Sequence, residues 1–185
     1  MHRSTVRTNT VRTNTGRTSP GRVLRGTSGS LDTWVPAGRR LVLVDLENLV
    51  GGSAATLETV REALAALDTA VGRTAHDVRV VATGSTLLST AMTLISSTRV
   101  SLGRGIDGAD RRLLDDLEPG RVVGRFDSVV LVSADGAAFA DRVAELARLG
   151  VPTDVVIGAG ACSRRLAAAA RSVRSVFGPQ FALAA

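Results

Sequence analysis

The amino-acid sequence predicts an α/β fold in which helices cover both faces of a parallel β-sheet. Two continuous apolar runs, LVLV at residues 41–44 and VVLV at residues 129–132, are typical of strands that are buried on both faces. Segments with apolar residues three and four positions apart separate such runs, and this spacing is typical of helices. Strands that alternate with helices form βαβ units, so we expect three layers, αβα, with five parallel strands.

The first half of the folded part supplies three of these strands. They are expected at residues 41–44, 78–83 and 100–102, and residues 84–97 are expected to form a turn and a short helix. Ser53 is placed to cap an earlier helix, which Gly72 ends, with apolar positions at Leu57, Val60, Leu64, Leu67 and Val71.

The second half repeats the alternation of helix and strand. Residues 107–118 predict a helix that Pro119 and Gly120 stop. Strands are expected at 128–133 and 154–157, with a helix at 137–149 between them. The last helix is expected over residues 163–176, with inward-facing positions at Leu166, Ala170 and Val173.

The first 36 residues differ in composition from the rest of the chain. Residues 6–20 read VRTNT, VRTNT and GRTSP, a five-residue repeat without apolar periodicity. Such a segment buries too little apolar surface to offset the entropy of ordering it. We therefore expect a disordered tail at 1–36, a folded domain at 37–178 and a short flexible end at 179–185. The tail is either an arginine-rich arm that contacts phosphates or a segment without a function.

The charge of the chain is concentrated in the same region. Residues 1–40 contain eight Arg and one Asp, a net +7, whereas the whole chain carries +6 and the remainder therefore −1. The high pI consequently gives no reason to regard the folded domain as a basic nucleic-acid binder.

Several classes of protein are excluded or disfavoured by composition. The single cysteine, Cys162, cannot form an internal disulfide, and no cysteine–histidine spacing fits a zinc site. No apolar stretch reaches the roughly 20 residues that span a bilayer, and no signal peptide is recognisable. We expect a cytoplasmic protein with no membrane partner. A signalling receiver domain is disfavoured because the chain has no lysine, and the turn LENLVGG lacks the glycine pattern for dinucleotide binding.

Three aspartates form the candidate site. Asp45 and Asp135 follow apolar strands, and Asp110 lies in the first turn of the helix at 107–118. Right-handed crossovers bring the carboxyl ends of parallel strands to one edge, where ligands bind. Because clustered carboxylates repel one another and burying them unpaired costs several kcal/mol each, a bound cation best explains them. Oxygen ligands alone point to Mg²⁺ or Mn²⁺. All three aspartates could instead be helix or turn caps.

Three stretches of the sequence together resemble the NYN family of PIN-like nucleases from bacteria. They are VLVDLENLVGG, RGIDGADRRLLDD and VVLVSADGAAFADRVAELARLGVPTDVVIG, and the closing GACSRRLAAAARSV resembles a carboxyl-terminal helix of the family. The resemblance covers about residues 38–177. It implies a PIN-like sheet in the order 3-2-1-4-5, a divalent metal held by acids, and cleavage of RNA phosphodiester bonds.

The resemblance also implies a role for individual residues. Asp45, Asp110 and Asp135 would hold Mg²⁺ or Mn²⁺ or the attacking water, and Asn48, the amide of the D-x-x-N motif, would orient Asp45 or a phosphate oxygen. Asp116 matches a weaker acid of the family, and Ser133 matches the serine of its S-G-D motif. Asn48 could equally be an ordinary turn residue, and Asp116 could belong to a solvated helix face.

One departure from the family pattern leaves two possible functions, an active nuclease and an inactive relative. Many members read S-G-D-x-D-F, whereas this chain reads SADGAAF, with Ala134 for the glycine and Ala137 for the second acid. The first function is a metal-dependent endoribonuclease. The alternative is a catalytically weak or inactive PIN-like protein with an RNA-binding or regulatory role.

Contacts with RNA are expected at the start of the last helix. Arg164 and Arg165 lie near its positive dipole end and could bind flanking phosphates, although both could simply be solvated. The chain has one Trp, four Phe and no Tyr, so stacking on bases is not an evident mode of recognition. A homodimer is possible, since PIN-like proteins often associate.

Overall fold

A computed structural model describes residues 38–95, 98–158 and 160–177 of the chain. The expected tail at 1–36 and flexible end at 179–185 lie outside these residues. The described part contains one six-stranded sheet in the order β3-β2-β1-β4-β5-β6, in which every neighbouring pair is parallel. The strands are β1 Arg40–Asp45, β2 Val78–Thr83, β3 Arg99–Leu102, β4 Ser128–Val132, β5 Thr153–Ile157 and β6 Ser172–Ser175.

Helices connect the strands and cover both faces of the sheet. They are α1 Leu46–Val50, α2 Leu57–Val71, α3 Ser85–Leu94, α4 Gly108–Asp116, α5 Pro119–Val122, α6 Gly136–Arg148 and α7 Arg164–Ala169. The first three pack on the face formed by residues such as Val42 and Val44, and the last four on the face formed by Leu41 and Leu43. The α/β class with a parallel αβα arrangement is therefore confirmed.

The side chains of β1 alternate between two separate cores. All six residues of this strand are buried, because β1 lies in the middle of the sheet between β2 and β4. Burial of both faces explains why its sequence is a continuous apolar run rather than an alternating one. Strands β2 and β3 lie on one side of β1, and the chain then crosses over to form β4 on the other side of β1. The carboxyl edge between β1 and β4 is thus a topological switch point, where open α/β sheets form crevices.

The prediction of five strands is wrong, because the segment expected to complete the last helix forms a sixth strand. Helix α7 ends at Ala169, and Arg171 donates its backbone N–H to the carbonyl of Thr153 at 2.8 Å. Residues Ser172–Ser175 then pair in parallel with β5. The alternating sequence SVRS suits an edge strand, and pairing overrides the helix propensity of the preceding alanines. Val173 is 37% exposed rather than inward-facing.

Two helix boundaries also differ from the prediction. Thr56, not Ser53, caps α2, and its hydroxyl accepts the N–H of Thr59 at 3.2 Å. Pro119 does not end the helical region but is the first residue of α5. At this position the N–H that proline lacks would have no partner within the helix. Gly72 ends α2 in a left-handed conformation, as predicted. In the part of the chain described here, no helix is long and apolar enough to cross a membrane.

Candidate functional site

Asp45 is delivered to the carboxyl edge of the sheet by the central strand. It is the last residue of β1 and the N-cap of α1, and it is only 6% exposed. Its Oδ1 accepts the backbone N–H of Asn48 at 3.1 Å. The two interpretations of the sequence, site residue and turn cap, are therefore compatible, since the cap occupies one carboxylate oxygen.

Asp110 reaches the same edge because two glycines allow a close backbone approach. A Cβ atom on Gly103 would lie 2.2 Å from the backbone of Gly108 and Ala109, so only glycine lets the end of β3 touch the start of α4. Asp110 lies in the first turn of α4. The charge of Asp110 contributes to the raised pKa of Asp45, so the two carboxyl groups interact. Oδ1 of Asp110 is buried and has no hydrogen-bond partner.

Asp135 follows β4, which is the neighbour of β1. Its Oδ1 accepts the N–H groups of Ala137 at 2.8 Å and Ala138 at 3.4 Å, so it caps α6. Ser133 is fully buried, and its hydroxyl accepts the N–H of Asp135 at 3.2 Å. The serine thus holds the turn that carries the aspartate. The charge of Asp135 contributes to the electrostatics of Asp110, which places the three predicted aspartates in one region.

Burial without a counter-charge changes the ionisation of two of these acids. Removal from water, with further contributions from Asp110 and Glu47, raises the pKa of Asp45 to about 7. Removal from water and the charges of Asp135, Asp107 and Glu47 also raise the pKa of Asp110. The charge of Asp110 therefore disfavours the ionised form of Asp45, and the charge of Asp135 disfavours that of Asp110.

Asn48 links the two central loops of this edge. Its side-chain Oδ1 accepts the backbone N–H of Ala134 at 3.0 Å, which ties the turn after β1 to the turn after β4. Its own backbone N–H binds Asp45. The amide side chain of Asn48 therefore connects the two loops, whereas its contact with Asp45 is made by the backbone, so the role that the resemblance implies for the side chain stays a prediction.

Glu47 is a fourth acid at the site, which the sequence analysis missed. Its Oε1 accepts the N–H of Gly84 at 2.6 Å and the hydroxyl of Thr83 at 3.0 Å, and its Oε2 is buried without a partner. With Asp45 and Asp110, it lines a hollow of about 210 Å³. The signal that could have found it is its position two residues after Asp45, where a single helical turn can return a side chain to the strand edge.

The donor set suits a hydrated divalent cation better than a cation enclosed by protein. Among residues 38–95, 98–158 and 160–177, no three acidic, histidine or cysteine side chains meet closely enough to ligate one ion. Mg²⁺, however, is often held by one or two carboxylates and keeps several waters. Asp45 and Asp110 are the two candidates for such a pair, and both line, with Glu47, a hollow large enough for water.

Asp116 does not belong to this site, so its predicted secondary role is corrected. It lies six residues beyond Asp110, about 9 Å along α4, which carries it to the amino-terminal edge of the sheet. There it accepts two hydrogen bonds of 3.0 Å from Arg99 and lies 3.7 Å from Arg121. Its partners are therefore arginines. The alternative prediction, that Asp116 belongs to a solvated helix face, is also wrong, because the residue is only 7% exposed.

The two predicted phosphate-binding arginines have different surroundings. Arg165 forms an exposed ion pair with Asp141 at 2.5 Å. Arg164 makes no ion pair within the described part of the chain, and it lines an open hollow of about 710 Å³ together with Asp135, Ala137 and Cys162. Cys162 is buried, and burial raises the pKa of its thiol, so it behaves as a core side chain.

Comparison with other proteins does not assign a family. No protein-family model matches the chain, and no curated protein matches it. Solved structures similar to it include the crystal structure of a protein of unknown function from Vibrio parahaemolyticus. That protein is 17% identical, with a TM-score of 0.49 over 75% of this chain and 92% of that chain. At this level of similarity, no residue role is transferred.

Proposed function

We propose that the protein is a metal-dependent endoribonuclease with a PIN-like fold. The observation that carries the proposal is the buried carboxylate of Asp45 beside the half-buried Asp110, neither of which has an arginine partner within the described residues although the chain contains 23 basic residues. A carboxylate in such a place costs stability unless a cation binds it. The position at the topological switch point supports a ligand site, and the resemblance to NYN nucleases supports RNA as the substrate.

Each residue of the site has a separate task in this proposal. Asp45 and Asp110 would hold Mg²⁺ or Mn²⁺, and Asp135, whose charge acts on Asp110, would add negative charge near the ion. Asn48 fixes the turn after β1 against the turn after β4. Glu47 holds the loop at Gly84 in place through Oε1. A bound divalent ion would supply activated water and offset charge on the phosphate.

In this proposal, RNA would bind over two hollows at this edge. The hollow lined by Asp135 and Arg164 adjoins the acidic residues, and a second hollow of about 390 Å³ is lined by Asp45, Glu47 and Asn48. Arg164 would contact a phosphate beside the one that is cut, whereas Arg165 is engaged by Asp141.

Cleavage of a mixed RNA pool by the purified full-length chain tests the proposal. We expect cleavage with Mn²⁺ or Mg²⁺, none with a chelator, and a loss of at least about 100-fold in Asp45→Asn and in Asp110→Asn, comparable to the loss of one key electrostatic group. Asp115→Asn is the matched control, because Asp115 lies on the same helix as Asp110 but is exposed. The control should cut like the wild type.

The alternative function has one observation in its favour. Ala137 stands where many family members have a second acid, and it contributes only a backbone N–H to Asp135. Absence of cleavage together with RNA binding would favour an inactive RNA-binding or regulatory protein. Cleavage that persists in Asp45→Asn and Asp110→Asn would contradict the assignment of the site.

A further inference from the structure

A cavity of about 430 Å³ lies at the amino-terminal edge of the sheet, opposite the acidic site. Its floor is apolar and consists of Leu41, Val78 and Val80 at the starts of β1 and β2, with Phe126 at one side. The cavity exists because β3 begins late. The first residue of β3, Arg99, pairs with Val80, so Val78 extends beyond the edge that β3 covers.

The rim of the cavity is strongly basic. Arg99, Arg121 and Arg125 line it, and the acid among its lining residues is Asp116. The cavity thus has two more positive than negative charges. Asp116 is 7% exposed and binds Arg99 and Arg121, which are each about half exposed. The buried carboxylate therefore holds two guanidinium groups at the mouth of the cavity.

Arg125 has no such partner. Within the described part of the chain it forms no ion pair or side-chain hydrogen bond, and it is exposed beside Phe126. A fourth arginine, Arg39, lies 5.2 Å from the centre of the Phe126 ring, on which its guanidinium stacks. The positive charge that lines this cavity is therefore only partly compensated.

We propose that this cavity binds a mononucleotide, with its phosphate on the arginines and its base on the apolar floor. Guanidinium groups bind phosphate through paired, charge-assisted hydrogen bonds, and a flat ring suits a floor made of aliphatic side chains and one aromatic edge. The volume lies at the lower end of the roughly 300–1,000 Å³ of small-molecule sites, which favours one nucleotide over a dinucleotide. The site does not depend on the nuclease proposal, since it lies at the other edge of the sheet.

Calorimetric titration of the full-length chain with AMP tests this site. The buffer contains EDTA, so that no divalent ion can attract phosphate to the acidic edge. We expect saturable binding of one AMP per chain and weaker binding of inorganic phosphate or adenosine alone, because each fragment uses only half of the cavity. Arg125→Ala should lower the AMP affinity about tenfold, the value of one charged hydrogen bond.

Two further variants locate the binding. Arg61→Ala removes an exposed arginine of α2, on the opposite face of the sheet, and should leave the AMP affinity unchanged. Asp45→Asn should also leave it unchanged. The absence of saturable AMP binding would overturn the proposal. Binding that Arg125→Ala leaves unchanged would also overturn it, because AMP would then bind elsewhere on the chain.

Discussion

Buried aspartates have arginine partners at one edge of the sheet but not at the other. At the amino-terminal edge, Asp77, Asp116 and Asp154 have side chains that are 2%, 8% and 1% exposed, and each is paired with arginine. At the carboxyl edge, Asp45 is 6% exposed and forms no ion pair within the described residues. The same residue type is thus a structural ion pair at one edge and an uncompensated charge at the other.

The presence or absence of an arginine partner shifts the pKa values of Asp77 and Asp45 in opposite directions. Although burial alone would raise it, hydrogen bonds from Arg40 and Thr74 lower the pKa of Asp77 below its ordinary value. Burial raises the pKa of Asp45 to about 7, and no arginine within the described residues forms an ion pair with it. A chain rich in arginine could have neutralised Asp45 as well. The proposed site at the carboxyl edge rests on this missing partner.

Removal of an arginine at the structural edge should have the largest effect on stability. Arg40 is 1% exposed, donates to both carboxylate oxygens of Asp77 at 2.7 and 2.8 Å, and also binds the carbonyls of Val71 and Gly72. Arg40→Ala leaves a buried charge and two carbonyls without partners, so we expect a loss of about 3–5 kcal/mol in the free energy of unfolding. Urea denaturation measures it. A loss below about 1 kcal/mol would contradict the distinction between the two edges.

The pH dependence of stability should have opposite signs at the two edges. Because the pKa of Asp45 is about 7 when folded and 3.8 as a model group, the folded chain binds more protons between pH 4 and 7. Its contribution to the free energy of unfolding then falls as pH rises through this range, by up to about 1.4 kcal/mol per pH unit. The contribution of Asp77, whose pKa is lowered, is present above pH 4 and is lost as pH falls below it.

Denaturation at several pH values, in EDTA, measures these slopes. Asp45→Asn should reduce the decline between pH 4 and 7, leaving the part that Asp110 contributes, and should make the chain more stable than the wild type near pH 8. Asp77→Asn should leave that decline in place. A wild-type stability that rises steadily from pH 4 to 8 would show that Asp45 is neutralised in solution.

The link between the two central loops should have a smaller effect. Asn48→Ala leaves the N–H of Ala134 without its partner at 3.0 Å, and we expect a loss of about 1–2 kcal/mol in unfolding free energy and a fall in RNA cleavage. Thr69→Ala is the control, because it removes an exposed hydroxyl bond on α2 and should change stability by less than about 0.5 kcal/mol. Equal effects of the two variants would contradict a positioning role for Asn48.

The smallest effect is expected at the surface arginines. Arg165→Ala removes an ion pair in which both side chains are more than half exposed, so stability should change by less than about 1 kcal/mol. Arg164→Ala should weaken RNA binding several-fold more than Arg165→Ala does, because Arg165 already has an acidic partner. Fluorescence anisotropy with labelled RNA compares the two. A larger effect of Arg165→Ala would reverse the assignment.

Most of the fold could be predicted because the central strands are buried on both faces and therefore have apolar sequences. β1, β2 and β4 are apolar and flanked by glycine or acids, and their observed bounds lie within one residue of the predicted ones. β6 could not be predicted, since SVRS is short and follows a run of alanines that favours helix. Its strand conformation depends on pairing with β5, which is a tertiary interaction.

The candidate site was predictable only in part, for a similar reason. Asp45, Asp110 and Asp135 follow from the ends of the strands and from the start of α4. Glu47 could not be distinguished from a solvated helix residue, because its role depends on a hydrogen bond to Gly84, 37 positions away. Asp116 resembled a site residue by its spacing from Asp110, whereas the distance along α4 and the arginines at that end decide its place.

Thermal unfolding with and without Mn²⁺ at pH 7.5 tests most directly whether the carboxyl edge is a cation site. We expect Mn²⁺ at about 100 times its dissociation constant to raise the Tm of the wild type by about 5 °C or more, since binding to the folded state alone adds about 2.7 kcal/mol. Asp45→Asn should begin at a higher Tm in EDTA and should not respond to Mn²⁺. An equal response of both proteins, or no response of the wild type, would contradict a metal site at Asp45.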